Sequence, residues 1–400
     1  MLSPYLRDLS LSATTAGFVA VLVGFTSSVA IVFQAATAFG ATPAQISSWI
    51  WALGLGMGLC TLVPSLWLRK PVMIAWCTPG AALLATAAAD GGFGMPDAVG
   101  AFLVSAALIT LCGMTGWFER VMDRIPLPLA SALLAGVLAR FALDAFIALQ
   151  SAFALVLLML AGYLVAQRWW PRYAVMTVLV VGTGFAAASG QLRIGPIDWS
   201  LTSPVFVAPV FSWPAALGLA LPLFVVTMAS QNLPGVAVIR AAGYRLPVSR
   251  IITLTGVATL LLAPFGAFAL NLAAITAAIC VGPEAHADPD RRYMAAVVNG
   301  ILYCVIGLFG AAVTGVLTAF PRELVAALAG LALLGSIGGG LTIAVRDAAH
   351  REPALITFLV TLSGVSLVGV GSAFWGVVAG ALALFVQQWR PRRPTATPPR

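Results

Sequence analysis

The sequence predicts an all-α polytopic membrane protein with about 14 transmembrane segments in two inverted repeats of seven. The chain is 61% hydrophobic and only 8% charged, with a mean hydropathy of +1.02, whereas a soluble domain carries about 25% charged residues. Its basic residues gather in alternate loops between apolar runs. A polar, proline-containing stretch, 191–212, divides the apolar runs into two equal sets.

Apolar runs long enough to cross a bilayer, about 20 residues each, define the individual segments. The first run is too long for the core of a signal peptide, so it is interpreted as an uncleaved first span. The predicted segments are 16–39, 46–67, 71–88, 97–118, 127–146, 150–167, 172–189, 213–239, 248–265, 267–282, 294–318, 322–344, 353–370 and 372–389.

The basic residues orient these segments in the membrane. With the N-terminus inside, nearly all of the 21 Lys and Arg residues fall in cytoplasmic segments, and the exceptions are Arg140, Arg193 and Arg322. Cytoplasmic loops of membrane proteins carry such an excess, so both termini are predicted in the cytoplasm. This orientation explains the net charge of +8 without a nucleic-acid partner. A basic, proline-rich tail, 390–400, is expected to be disordered near anionic lipid headgroups.

The two parts of the chain, 1–190 and 213–389, each hold seven predicted segments. An odd number of crossings places them in opposite orientations, which is the inverted-repeat design of many secondary transporters. A weak echo links them, since ALLAG at 132–136 resembles AALAG at 326–330. The same offset of 194 residues places Cys77–Ala82, which contains a Pro-Gly pair, on Asn271–Thr276. Interrupted segments at matching positions predict a transporter's binding site.

Both matched stretches interrupt a segment that is otherwise apolar and helical in pattern. A helix that begins at mid-membrane presents unpaired N–H groups and a positive dipole end of roughly half a charge. Two such ends favour a small anion such as a carboxylate. The expected donors and caps are Thr78, Gly80 and Ala81 in segment 3, and Asn271, Leu272 and Ala273 in segment 10. The alternative is an ordinary kink whose backbone groups are satisfied by neighbouring helices.

Segment 8 carries adjacent amides, Gln231 and Asn232, just before a second Pro-Gly pair. Polar side chains in a span are costly unless they face the protein interior. We expect this pair to bind substrate or to orient a helix terminus, with hydrogen bonding between helices as the alternative. Segment 1 offers Ser27, Ser28 and Gln34, for which close helix packing is the alternative.

The loop after segment 10 carries Glu284 and His286. Histidine titrates near neutral pH, so this pair is a candidate for proton coupling, and a simply solvated loop is the alternative. No carboxylate lies at the centre of segments 8 and 10, which argues against a cation substrate. The sequence holds no metal-ligand spacing, cofactor motif or catalytic cluster, so no metal, cofactor or enzymatic activity is predicted.

Three strings resemble the benzoate:proton symporter family of bacterial inner membranes. They are FTSSVAIVFQAATAFGA at 25–41, SQNLPGVAVIRAAGY at 230–244 and NLAAITAAICVGPEAHADPDRRY at 271–293. The resemblance covers nearly the whole chain except the tail. It implies a transporter that takes up benzoate or a related aromatic carboxylate together with a proton. An exchanger or permease for another small anion or a nucleobase is the alternative on the same fold.

The family is similar in fold to the nucleobase-permease, sulfate and bicarbonate transporters. That fold implies a core domain of segments 1–4 and 8–11, a gate domain of segments 5–7 and 12–14, and a homodimer through the gate domain. Segments 3 and 10 then begin as short strands and continue as half-helices. Nucleobase permeases bind substrate through acidic residues in segments 8 and 10. This chain has Gln231 and Asn271 at those positions, and neutral amides fit an anionic substrate because carboxylates would repel it. Phe33, Trp76 and Phe268 are the candidate walls for an aromatic ring.

Overall fold

A computed structural model describes residues 7–26, 28–123, 125–192, 200–310, 319–365, 367 and 372–388. The predicted tail, Ser27 and parts of the predicted linker and of segments 11 and 13 lie outside these ranges. The elements in chain order are α1 Leu11–Thr26, α2 Val29–Ala38, α3 Pro43–Leu68, β1 Ile74–Trp76, α4 Thr78–Gly91, α5 Met95–Thr115, α6 Trp117–Met122, α7 Leu127–Ile147, α8 Phe153–Trp169, α9 Ala174–Ala188, α10 Trp213–Ala241, α11 Val248–Leu262, β2 Leu270–Leu272, α12 Ile275–Val281, α13 Tyr293–Leu308, α14 Arg322–Arg346, α15 Arg351–Ser363 and α16 Ser372–Gln388.

Seven helices among the described residues are long and apolar enough to cross a membrane. They are α1 with α2, α3, α5, α7, α10, α11 and α14, some with a short 3-10 extension. Shorter apolar helices include α8 and α9. These helices make the chain a multi-pass helical membrane protein. The remaining predicted segments hold shorter elements, so the count of fourteen crossings stays a prediction.

The elements pack mainly in two groups. The first, called here the strand group, comprises α1–α5, α10–α13 and both strands, and the second, the helix group, comprises α7–α9 and α14–α16. Glycines allow the closest approaches within each group. A Cβ on Gly54 of α3 would lie 2.6 Å from the backbone N of Gly307 in α13, and one on Gly136 of α7 would lie 2.8 Å from the carbonyl of Phe358 in α15. Close approach through small residues is the usual packing of membrane helices.

Segments 1 and 8 are each built from more than one helical element. Segment 1 comprises α1 and α2, which together form one apolar stretch, Leu11–Ala38, long enough to cross the membrane. Segment 8 is not broken at Pro234-Gly235, because α10 continues through that pair after two π-helical turns, Ala216–Ala220 and Met228–Asn232. A π turn absorbs an extra residue and occurs often at functional sites. The second of these turns carries both predicted amides.

Candidate functional site

The interrupted segments 3 and 10 meet as a two-stranded antiparallel sheet. Strand β1 pairs with β2 so that Ile74 lies opposite Leu272 and Ala75 opposite Asn271. Helix α4 follows β1 and helix α12 follows β2. The two strand-to-helix junctions therefore come together inside the strand group, as the matched positions in the sequence predict.

Side chains from the surrounding helices complete the hydrogen bonding of this sheet. The N–H of Ile74 donates to Thr61 Oγ1 of α3 at 3.0 Å, and the N–H of Leu270 donates to Thr259 Oγ1 of α11 at 3.3 Å. The N–H of Leu272 donates to Asn232 Oδ1 of α10 at 2.9 Å. Each unpaired backbone group in a membrane interior costs several kcal/mol. These three contacts therefore stabilise a short sheet by providing acceptors for backbone N–H groups that its two strands leave unpaired.

The start of α4 explains the Pro-Gly pair. Cys77, rather than Thr78, caps the helix, and its Sγ accepts from the N–H of Gly80 at 3.3 Å. Proline at the second helical position has no N–H to leave unpaired. A Cβ on Gly80 would lie 2.6 Å from Leu223 Cδ1 of α10. The glycine thus lets α10 approach the start of α4.

Four N–H groups that the sequence proposes as free anion donors are bonded within the protein. Those of Gly80 and Leu272 bond Cys77 and Asn232, and the N–H of Ala81 donates to the carbonyl of Cys77 at 2.8 Å. The N–H of Ala273 donates to the carbonyl of Met73 at 2.9 Å. Asn271 does not cap α12, because it lies inside β2, and Ala274 occupies the cap position. The helix ends that can face a ligand therefore begin at Thr78 and at Ile275.

A cavity of about 60 Å³ lies between these two helix starts. Five of the residues that the sequence singles out line it: Ser28, Trp76, Thr78, Gln231 and Ala273. The other lining residues are Val23, Gly24, Met57, Ala75, Ala274, Ile275, Thr276 and Tyr303. None of these described residues is acidic. The cavity is accordingly a neutral, partly apolar space with amide, hydroxyl and backbone donors.

Four polar side chains of this cavity, those of Ser28, Trp76, Thr276 and Tyr303, lie around α1 and the helix starts. Trp76 Nε1 donates to Ser28 Oγ at 2.9 Å, which fixes the indole beside Phe25 at a ring separation of 5.7 Å. Thr276 Oγ1 is buried and has no hydrogen-bond partner among the described residues. A Cβ on Gly24 would lie 2.8 Å from the hydroxyl of Tyr303 and 2.7 Å from Thr276 Cγ2. Gly24 therefore makes the space in which Tyr303 and Thr276 approach α1.

Several predicted site residues lie elsewhere. Gln34 is exposed, so its amide does not line the cavity. Phe268 is fully buried in a cluster with Trp49 and Phe102, at ring separations of 5.7 and 5.8 Å, and forms part of the protein core. The side chain of Asn271 is fully buried as well, and its Nδ2 donates to the carbonyl of Ala269 at 3.0 Å.

The predicted proton-coupling residues occupy different environments in one loop. His286 is buried, and its Nδ1 accepts from the N–H of Asp288 at 3.0 Å. Arg292 donates to the carbonyls of His286 and Val281 at 2.8 and 2.7 Å and holds the loop closed. Glu284 lies in the same loop, and burial raises the pKa of its carboxyl while Arg292 opposes that rise.

A larger cavity of about 550 Å³ reaches from charged loop residues to the sheet. Its lining includes Asp123, Arg240 and Arg245 together with Leu272 of β2. Arg240 Nη2 and Asp123 Oδ1 form an ion pair at 2.6 Å. This cavity lies between α10 and the start of α7, which is where the strand group and the helix group meet.

A family model described as benzoate membrane transport protein matches residues 7–386 of the chain. The chain belongs to the benzoate membrane transport protein family. It is 50% identical over 371 residues to Inner membrane protein YdcO of Escherichia coli (strain K12), which covers 93% of this chain and 94% of that protein. It is 40% identical over 380 residues to the Benzoate membrane transport protein of Acinetobacter baylyi, with 95% and 96% covered. The resemblance carried by the three strings is confirmed.

This member of the benzoate membrane transport family also shares a fold with a solved structure. The match to SLC26A9 has a TM-score of 0.50 at 14% sequence identity and covers 97% of this chain and 68% of that one. At that identity the likeness concerns the fold alone. It agrees with the sulfate-transporter-like fold that the sequence resemblance implies.

Sequence reasoning missed two polar residues of the cavity in this family member, Thr276 and Tyr303. Tyr303 lies in an apolar span with no interruption beside it, so nothing local distinguishes it from a packing residue. Thr276 was included only as the last residue of the matched stretch. Thr276 lies three and four residues after the expected donors, Ala273 and Leu272, because α12 begins only at Ile275. No pattern in the sequence indicates this later start.

Proposed function

We propose that the protein imports benzoate or a related aromatic carboxylate across the bacterial inner membrane, together with a proton. The observation that carries the proposal is the cavity between the starts of α4 and α12, where Thr276 Oγ1 is buried without a partner among the described residues. A buried hydroxyl without a partner costs about 1–3 kcal/mol. A carboxylate oxygen bound in the cavity supplies that partner.

The electrostatics of the cavity suit an anion. Helix α4 has 14 residues, and its start contributes a positive end worth roughly half a charge. Helix α12 has only 7 residues, so its contribution comes from local N–H groups at Ile275 and Thr276 more than from a full dipole. The absence of acidic residues among the described lining avoids repulsion of a carboxylate. The hydroxyls of Thr78 and Tyr303 and the amide of Gln231 are further donors.

The aromatic ring of the substrate requires apolar walls and more room. Met57, Trp76 and Val23 supply apolar surface beside the donors. A cavity of about 60 Å³ exceeds the roughly 10–15 Å³ that one water needs and accommodates a carboxylate group, but it is small for the ring. We therefore expect the side chains around the cavity to move apart when substrate binds, with Gln231 and Met57 the flexible members.

The two packing groups support an alternating-access mechanism. We propose that the strand group is the core domain that carries the substrate, and that the helix group is the gate domain. The larger cavity then gives the path to the cytoplasm, since it connects the exposed pair of Arg240 and Asp123 to Leu272 of β2. The names of two relatives support benzoate import at the inner membrane: one is named a benzoate membrane transport protein and another an inner membrane protein.

Uptake by purified protein in proteoliposomes tests the proposal. An inward proton gradient should drive accumulation of radiolabelled benzoate well above protein-free liposomes, which report passive diffusion of benzoic acid. Unlabelled benzoate should compete, while uracil and sulfate should not. Competition by uracil or sulfate without competition by benzoate would instead favour the other substrate classes carried on this fold. A lack of any gradient-stimulated benzoate uptake would refute the proposal.

A further inference from the structure

Glu284 lies where the strand group meets the helix group. Its carboxyl borders a cavity of about 10 Å³ that is lined by α1, α9, α12 and α14. The lining residues are Ser12, Thr15, Ala16, Val175, Met176, Ile279 and Ala332 together with Glu284. Helices α1 and α12 belong to the strand group, and α9 and α14 belong to the helix group. Any sliding of one group past the other changes the surroundings of this carboxyl.

Two glycines from different elements make room for the two carboxylate oxygens. A Cβ on Gly335 of α14 would lie 2.5 Å from Glu284 Oε1, and a Cβ on Gly282 would lie 2.6 Å from Oε2. An alanine at either position would require the carboxyl, which is the far end of a flexible side chain, to shift. The half-buried Glu284 therefore places its carboxyl against the backbone of α14 and does not extend freely into solvent.

Few charges face this carboxyl. Burial is the main influence on Glu284 and raises the pKa of its carboxyl, and the nearby Arg292 lowers it by less. Tyr163 of α8 also faces Glu284, and Gln167 donates to the Tyr163 hydroxyl at 2.9 Å. The described lining residues of α1, α9, α12 and α14 are uncharged. On its own loop, His286 already accepts from the N–H of Asp288.

We propose that Glu284 is the group that binds and releases the transported proton. This inference rests on the proposed function. When the transporter faces outward, the carboxylate takes up one proton from the periplasm along the interface between the two groups and becomes a neutral carboxylic acid packed against α14, and no other bond changes. When the strand group moves and the loop separates from α14, the carboxyl meets water and releases the proton to the cytoplasm, the side on which the sequence places this loop.

The coupling has a simple physical origin. An ionised carboxylate loses hydration when it enters a poorly polar interface, whereas the neutral acid loses little. The packed arrangement therefore favours the proton, and the proton favours the packed arrangement by the same free energy. Substrate movement that shifts the two groups then carries the proton with it.

The test compares Glu284→Gln with Glu352→Gln, a matched change at an exposed glutamate in α15. Each variant is reconstituted and measured for gradient-driven uptake of labelled benzoate and for benzoate counterflow at equal pH. Glutamine imitates the protonated acid, so the rate of counterflow by Glu284→Gln should stay within about 3-fold of the wild-type rate. The rate of its gradient-driven uptake should fall at least about 10-fold. Its counterflow should also be flat with pH, whereas wild-type counterflow should fall as pH rises and Glu284 loses its proton.

Two results would overturn the inference while leaving the proposed function intact. One is a Glu284→Gln protein that retains gradient-driven uptake, and the other is a variant that loses counterflow along with uptake. If wild-type protein transports no benzoate, the proposed function itself fails.

Gly335→Ala provides a second variant, with Gly338→Ala as control because a Cβ there meets nothing within 4 Å. Only Gly335→Ala should shift the pH at which counterflow falls, and an unshifted midpoint would contradict the role of Glu284.

Discussion

Adjacent residues in the π-helical turn of α10 have different roles. Asn232 is fully buried, and its Oδ1 accepts from the N–H of Leu272 in β2. Gln231 instead lines the cavity proposed for the substrate. The widened turn directs two consecutive amides to different neighbours, so that one supports the sheet and the other faces the cavity. The sequence indicates a pair of costly amides in a span but does not separate these roles.

Substitutions at these two residues should therefore affect different properties. Asn232→Leu removes the acceptor of a buried strand N–H, which costs about 1–3 kcal/mol, so the thermal unfolding temperature in detergent should fall. Gln231→Ala should weaken benzoate binding several-fold and leave the unfolding temperature of the ligand-free protein near that of wild type. Thermal unfolding with and without benzoate measures both effects. Reversed effects, with Asn232→Leu stable and Gln231→Ala unstable, would contradict the assigned roles.

At the scale of elements, the sequence predicts where the two interruptions lie but not how their backbone is satisfied. The Pro-Gly pair and the 194-residue offset locate both strand-to-helix junctions. The acceptors that complete the sheet, Thr61, Thr259 and Asn232, come from three other helices. Such partners depend on packing between distant parts of the chain, which no local pattern encodes. For this reason the available helix start lies at Thr78 in α4, before the expected donors Gly80 and Ala81, and at Ile275 in α12, after Leu272 and Ala273.

The packing of α10 against β2 makes a second prediction. A Cβ on Gly235 would lie 2.8 Å from the carbonyl oxygen of Leu272 and 2.7 Å from its Cβ. Gly235→Ala should therefore push α10 away from the strand, at a cost of about 1–3 kcal/mol, and reduce both stability and benzoate transport.

Gly184→Ala in α9 is the matched control for that change. A Cβ at Gly184 meets nothing within 4 Å, and alanine is the better helix former by roughly 1 kcal/mol, so the control should be neutral or slightly stabilising. Thermal unfolding and benzoate uptake of the two variants give the comparison. Equal behaviour of both variants would show that α10 is not held against β2 as described.

At the scale of the whole molecule, the sites proposed for substrate and proton lie at separate positions. The cavity proposed for the substrate lies within the strand group, between α4 and α12. Glu284 lies at the border with the helix group, against Gly335 of α14. The two ligands need not touch, because a shift of one group against the other changes the environment of both. A transporter built in this way couples them through movement and not through direct contact.

The charge carried in one transport cycle follows from this arrangement. In the proposed mechanism, one carboxyl at the interface carries one proton and one benzoate anion occupies the cavity, so each cycle is expected to move no net charge. Initial uptake under a fixed proton gradient should then stay the same when a potassium gradient with valinomycin sets the membrane potential inside-negative or inside-positive. A rate that rises several-fold with inside-negative potential would show that more than one proton accompanies each benzoate. In that case a second protonatable group besides Glu284 must take part, since a single carboxyl cannot hold two transported protons.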